Sequence, residues 1–316
     1  MGGTTMNNES KELLRVIGRQ LDRSIFPRVK NGGFVLPSEP HVPFQPVGKE
    51  KQNAAERQRR SATESRPRPQ GGQGTSGKSW AAGGSWSAGA PSSVLDAVSG
   101  SAYQDELGAV CEAYPGARIW GQGEDFWLLV ESSLLQNLPR KACFLVAVST
   151  TNKLVRAWAF WNSCAVGVTW IGPRHTNFPD GSICAFEPRD GTWQFGDSLV
   201  ILLDIYSLWA LRHLHYEVFG RWPGPQSVAP PYERMLELRD DEFCGCGQSQ
   251  KLYVECCKPF DNKLKLLAAA VSFGFFSAFS VRNPPKSVVQ CVLMREPPPS
   301  IPDLLNATNN NVAIER

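Results

Sequence analysis

Five short runs rich in β-branched and aromatic residues, followed by one long apolar run, constrain the fold of this chain more than any other feature. The runs are Ala117 to Trp120, Asp125 to Glu131, Cys143 to Ser149, Val155 to Trp161 and Ala165 to Ile171. Polar turns separate them, so they read as successive strands of an antiparallel meander. Leu199 to Phe219 is continuous and apolar on one side, and stops at Gly220, as a helix does where glycine accepts the left-handed conformation. Tyr103 to Tyr114 fits a shorter helix with Leu107, Val110 and Cys111 on one side. Trp158, Trp161, Trp170 and Trp193 are assigned to the core, with the thiols of Cys111, Cys143 and Cys164. The expectation is an α+β domain over residues 93–232.

The 316 residues could hold two domains, but not all of them look foldable. Residues 36–92 are poor in aliphatics and rich in Pro, Gly, Ser, Gln and Arg. Such a stretch cannot bury enough surface to offset chain entropy, so it is expected to be a disordered linker. Its basic run from Lys49 to Arg60 reads as solvated chain. Gly72 to Ser79 matches a Walker A string, but a phosphate loop needs a buried strand before it and a helix after it, and neither is apparent. Within residues 1–35, Leu13, Leu14, Ile17, Leu21 and Ile25 recur at helical spacing, which suggests a small docking helix. In the C-terminal segment 261–316, Leu266 to Val281 is shorter than the roughly 20 apolar residues of a membrane span. It reads as a buried helix or strand pair, so no membrane partner is expected. The first residues show no charged-then-apolar leader, so no signal peptide is expected. A net charge of +3 creates no global field calling for nucleic acid.

Chemistry concentrates in His175-Thr176-Asn177-Phe178-Pro179-Asp180-Gly181-Ser182-Ile183-Cys184, with Trp193 following. Pro179-Asp180-Gly181 is a turn signal. A cysteine on an exposed, hydrogen-bonding loop is a candidate covalent nucleophile. His175 and Asn177 can bond the loop backbone or a developing oxyanion.

The string resembles the active-site segment of ubiquitin-conjugating enzymes. There a His-Pro-Asn tripeptide precedes a Gly-Ser-Ile-Cys-like turn, and a tryptophan follows. His175-Thr176-Asn177, Gly181 to Cys184 and Trp193 correspond, with Thr176 in place of the proline. Downstream, Trp209, Tyr216-Glu217 and Gly220-Arg221-Trp222-Pro223-Gly224 are similar to conjugating-enzyme proteins of bacterial antiphage operons. The resemblance covers about residues 100–230. It implies an antiparallel four-stranded meander flanked by helices. It also implies that Cys184 carries a ubiquitin-like protein as a thioester, that Asn177 supports the oxyanion of lysine attack or braces the loop, and that His175 is structural. The partners implied are a ubiquitin-like protein, a protein target and a separate activating enzyme. No Gly-x-Gly-x-x-Gly follows a strand here, so adenylation is left to another chain.

Nine cysteines are an odd number, and four of them cluster as Cys244-Gly245-Cys246, nine residues, then Cys256-Cys257. Thiolates in two short pairs can close a tetrahedron around zinc, and four protein ligands make such a site structural. The pattern resembles the SEC-C motif, a small zinc module, with Lys251 and Tyr253 in its middle; residues 233–260 are assigned to it. Mixed local charge (Lys251, Glu255, Lys258) favours a protein partner over nucleic acid. Metal-type rather than disulfide-type cysteine usage points to the cytoplasm.

Two other readings stay open. One is an inactive adaptor that binds a ubiquitin-like protein without chemistry. The other is a cysteine hydrolase pairing Cys184 with His213 or His215, which needs an imidazole within hydrogen-bond reach of the sulfur. Glu217, Asp190 and Asp197 are candidate lysine-activating groups for the conjugation reading.

Overall fold

A computed structural model describes residues 6–24, 28–30, 33–35, 103–134, 140–163, 167–186, 191–247, 250–277, 279–294 and 296–310. The expected linker 36–92, with its basic run and Walker-like string, lies outside the described residues, as do Ile25, Cys164 and Asp190.

The chain opens with helix α1 (Asn8–Asp22) and an antiparallel pair, β1 (Arg28–Lys30) and β2 (Gly33–Val35). After α2 (Gln104–Ala113) come β3 (Arg118–Gln122), β4 (Asp125–Ser132), β5 (Arg140–Ser149), β6 (Leu154–Ser163) and β7 (Gly167–Trp170). These five form one sheet in chain order, each strand antiparallel to the next. The expected meander of four strands is therefore five: the last run also pairs, with Phe160 opposite Trp170 and Ser163 opposite Gly167. Alternation along the strands serves two faces at once. Phe126, Leu128, Phe144, Val146, Ala157 and Trp161 point to one core, and Trp127, Leu145, Ala147, Trp158 and Phe160 to another. That is why the central strands read as near-continuous apolar runs.

The first face is covered by α3 (Leu199–Phe219), which ends at Gly220 in the left-handed conformation (φ 66°). This helix is buried on more than the one side expected, because it lies between the sheet and α1. Leu202, Leu203, Trp209, Leu211 and Leu214 join one core with Leu14, Ile17 and Leu21 of α1. The N-terminal helix thus docks within its own chain. Its approach needs Gly18, where a Cβ would sit 2.3 Å from His215 Nε2. Asp22 then accepts from Arg221 Nη1 (2.7 Å) and the Gly224 amide (2.8 Å).

The second face is covered by the C-terminal segment. After α4 (Pro231–Glu237), α5 (Lys258–Asp261) and α6 (Leu266–Phe276) come α7 (Lys286–Met294) and α8 (Ile301–Asn310). Val288, Cys291, Ile301, Leu304 and Leu305 of α7 and α8 pack on Trp127 and Trp158. The Trp127 indole donates to the Pro299 carbonyl (3.0 Å).

The reading of Leu266 to Val281 as a buried element is corrected. Helix α6 is apolar all round but, among the described residues, packs on the fold through Phe273 against Tyr232 and Phe178 and leaves most of its other large side chains exposed. Leu267 is 76% and Phe276 66% exposed. A groove of about 510 Å³ lies between Pro230, Tyr232, Ala268, Phe273 and Phe276. Among the described residues no helix is long and apolar enough to cross a membrane.

Replacing Gly18 with alanine separates two effects of opposite sign. Helix propensity alone favours alanine by about 1 kcal/mol, whereas overpacking against His215 costs about 1–3 kcal/mol. The seated α1 predicts a net loss in denaturant unfolding. A stability gain would show that α1 does not pack on α3 as described.

Candidate functional site: the Cys184 hairpin and the four-cysteine knuckle

Beyond β7 the chain turns back along β6 as a tight hairpin. The Cys184 amide donates to the His175 carbonyl (3.0 Å), Asn177 N–H to the Ser182 carbonyl (2.7 Å), and Ile183 N–H to Ala157 of β6 (2.7 Å). Thr176 pairs with Ile183. His175, Asn177 and Cys184 are thereby gathered in one small unit. The Asn177 amide closes it from within, donating to the Ile183 carbonyl (3.0 Å) and Ser182 Oγ (3.2 Å). As it stands, Asn177 braces the loop.

The hairpin is not the exposed loop expected from its polar composition. Its turn is the buried end. Asp180 is 4% exposed, accepts the Ser182 amide (3.0 Å), and lies 4.0 Å from Arg156 Nε. Trp158 donates its indole N–H to the Asp180 carbonyl (2.8 Å). The Arg282 guanidinium sits 4.1 Å over the Phe178 ring. At Gly181 (φ 62°) a Cβ would come within 2.9 Å of the Asn283 backbone. Cys184 lies at the opposite, open end and is partly exposed. Beyond it, Phe186 packs near Trp193 (6.1 Å), whose indole donates to the Ser198 carbonyl (3.0 Å).

His175 contributes more through its backbone than through its ring. Its carbonyl accepts both the Cys184 amide and the Trp209 indole (3.0 Å), tying the cysteine to α3. The ring packs at a tilt against Trp222 (4.1 Å between centroids), and Nε2–H donates to Gln226 Oε1 (3.0 Å). Burial, reinforced by the Arg174 guanidinium, holds this imidazole well below its ordinary pKa. His213 is wedged between Trp209 (4.1 Å) and Trp222 (4.9 Å), and burial pushes its pKa down to about 3. An imidazole that reluctant to accept a proton is a poor general base at neutral pH. His215 bonds the Arg221 carbonyl (2.9 Å) through Nδ1 and faces α1; burial lowers its pKa too. Glu217 is engaged by Trp161 and by Arg140 (2.6 Å), and Asp197 caps a turn by accepting the Gln194 amide (2.8 Å).

The residues the sequence did not single out are those that anchor the hairpin. Arg174 is 3% and Glu242 0% exposed, and they form a two-pronged ion pair, with Nη1 3.2 Å from Oε1 and Nη2 paired to Oε2. Glu242 also accepts the Trp222 amide (2.7 Å). Gln226 accepts from Arg174 Nη2 (2.9 Å) and donates to the Phe243 carbonyl (2.8 Å).

Glu242 and Phe243 open a knuckle. Phe243 pairs with Leu252, Cys244 N–H donates to Lys251 (3.0 Å), and Tyr253 N–H donates to Glu242 (2.8 Å). Gly245 and Gly247, at φ 72° and 73°, turn the strand so that Cys244 and Cys246 face inward. A 3₁₀ turn over Tyr253–Glu255 then delivers Cys256 and Cys257. The four sulfurs lie within 4.8 Å of one another, with Cys246 and Cys256 3.7 Å and Cys256 and Cys257 3.9 Å apart. A tetrahedron with Zn–S bonds of about 2.3 Å has edges of about 3.8 Å, so the set fits a metal. Burial raises the Cys244 and Cys257 thiols. Four thiolates this close therefore need a cation to offset their charge.

The buried imidazoles impose a pH dependence. A histidine held at about 3 when folded (His213) and near 6.5 when unfolded binds fewer protons in the native state. Its stabilising contribution is present above about pH 6.5 and is lost as pH falls toward 3. Denaturant midpoints should decline across that window, and His213→Phe should flatten the decline. An unchanged slope in His213→Phe would show that this ring is not buried and neutral.

Comparison with known proteins found no matching family model, no matching curated protein and no matching solved structure.

Proposed function

We propose that this chain is a conjugating enzyme for a ubiquitin-like protein. The observation that carries the reading is a partly exposed Cys184 in one hairpin with Asn177 and His175, at the edge of an antiparallel meander and bonded to α3. The order of helix, meander, cysteine hairpin and long helix supports a ubiquitin-conjugating-like fold.

The chemistry is two acyl transfers. The Cys184 thiolate attacks the C-terminal carbonyl of a ubiquitin-like protein held as a thioester by a separate activating enzyme. A new C–S bond forms, the old one breaks, and the activating enzyme's thiolate leaves. A target amine then attacks the same carbon, the bond to Cys184 Sγ breaks, and the amine loses its proton to solvent. Asn177 keeps the loop closed beneath the thioester through its bonds to Ile183 and Ser182. His175 offers its carbonyl to the Cys184 amide. A hydrolase would have to recruit His213 out of its tryptophan clamp or His215 away from the Arg221 carbonyl. The four cysteines would hold structural zinc, the partners would be proteins, and the setting would be cytoplasmic conjugation of the bacterial antiphage type.

Incubated with ATP and with the activating enzyme and ubiquitin-like protein of its native host, the chain should form an adduct cleaved by reducing agent. Cys184→Ser should give an adduct that resists the reductant, and Cys184→Ala none. An adduct persisting in Cys184→Ala would overturn the assignment.

A further inference from the structure

We propose that the metal site of Cys244, Cys246, Cys256 and Cys257 positions the Cys184 hairpin, through Glu242, Gln226 and Arg174; its functional meaning rests on Cys184 being the reactive thiol of the proposed transfer. The route is continuous through short stretches of backbone and hydrogen bonds. Cys244 is two residues from Glu242. The Glu242 carboxylate grips Arg174 at 3.2 Å on one prong, and Gln226 ties Phe243 (2.8 Å) to His175 (3.0 Å). The His175 carbonyl then holds the Cys184 amide at 3.0 Å. Arg174, Gln226 and Glu242 are thus positioning residues, acting on Cys184 through the arm of the hairpin that carries His175.

Three features make this a coupling rather than ordinary packing. First, the knuckle is small: its apolar cluster consists of Val228, Leu238, Cys244 and Tyr253, with Cys246, Cys256 and Cys257 against it. Segments of that size fold on binding metal, because the ion supplies the stability that the core lacks. Second, Glu242 and Arg174 are almost wholly buried. If the knuckle opens and the carboxylate leaves, a guanidinium is left uncompensated in the interior, which that arm relieves only by moving. Third, the turn of the hairpin has fasteners of its own. Asp180 is held by Arg156 and Trp158 of β6, neither of which belongs to the zinc module. Slack released by metal loss therefore appears toward the open end, where Cys184 sits.

The test uses the full chain and needs no ubiquitin-like protein. Iodoacetamide alkylation is followed peptide by peptide by mass spectrometry, with zinc bound and after chelation. Cys111, on α2 and partly buried, is the internal reference for general unfolding. The proposal predicts one zinc per chain. Chelation should speed Cys184 alkylation by about tenfold or more while Cys111 stays within about twofold, as expected for a local opening. Readdition of zinc should restore the slow rate. Gln226→Ala, with zinc still bound, should already show the fast rate. If that variant does not fold, Cys256→Ser should reproduce the chelated state. The proposal is overturned if zinc does not bind, if Cys184 is indifferent to its removal, or if Cys111 accelerates in parallel. A chain that passes this test yet forms no thioester would keep the coupling and lose the conjugating function; the reverse result would lose only the coupling.

Discussion

The ion pair between Arg174 and Glu242 holds this structure's chemistry in place. Both side chains are nearly excluded from water, and desolvating them costs several kcal/mol per charge. Such a pair is poor evidence of added stability. It persists because most of its remaining hydrogen-bonding capacity is used: Glu242 takes the Trp222 amide, Arg174 Nη2 reaches Gln226, and the guanidinium lies 4.8 Å over the Tyr216 ring, although Arg174 Nε is left without a partner among the described residues. Three distant stretches of chain meet there, at 174, 226 and 242. Moving any one of them strands a buried charge.

Everything else sets the place where that junction is built. The sheet supplies a two-faced platform: α1, α2 and α3 close one side, and α7 and α8 the other. Trp209 of α3 and Trp222, just past the end of that helix, carry its order into the hairpin, one through a bond to the His175 carbonyl and one through a tilted ring contact with the His175 imidazole. The imidazoles enclosed in this apolar seam are kept neutral. They shape the site as flat, partly apolar spacers rather than as proton carriers.

The periodic elements were legible in the sequence. Strand alternation and the long run before Gly220 are local signals, and they appear as β3 to β7 and α3. The cysteine spacing was equally local, and the four sulfurs do converge. What escaped was decided by partners far along the chain. Asp180 reads as an exposed turn residue until Arg156 and Trp158 arrive from β6. Arg174 and Glu242 are 68 residues apart and carry no pattern that announces a pair. Leu266 to Phe276 is apolar enough to be buried, but the described residues cover it mainly at Phe273 and leave Leu267, Phe275 and Phe276 exposed.

Amide hydrogen exchange in Glu242→Gln addresses the junction directly, since this change removes the carboxylate's charge while keeping the side chain's size. If the ion pair fastens the hairpin, exchange at Cys184 should quicken by about tenfold or more. The Ile171 amide, bonded to Ala159 of the sheet at 2.9 Å, should keep its native rate. A Cys184 amide as slow in Glu242→Gln as in the parent chain would contradict the account.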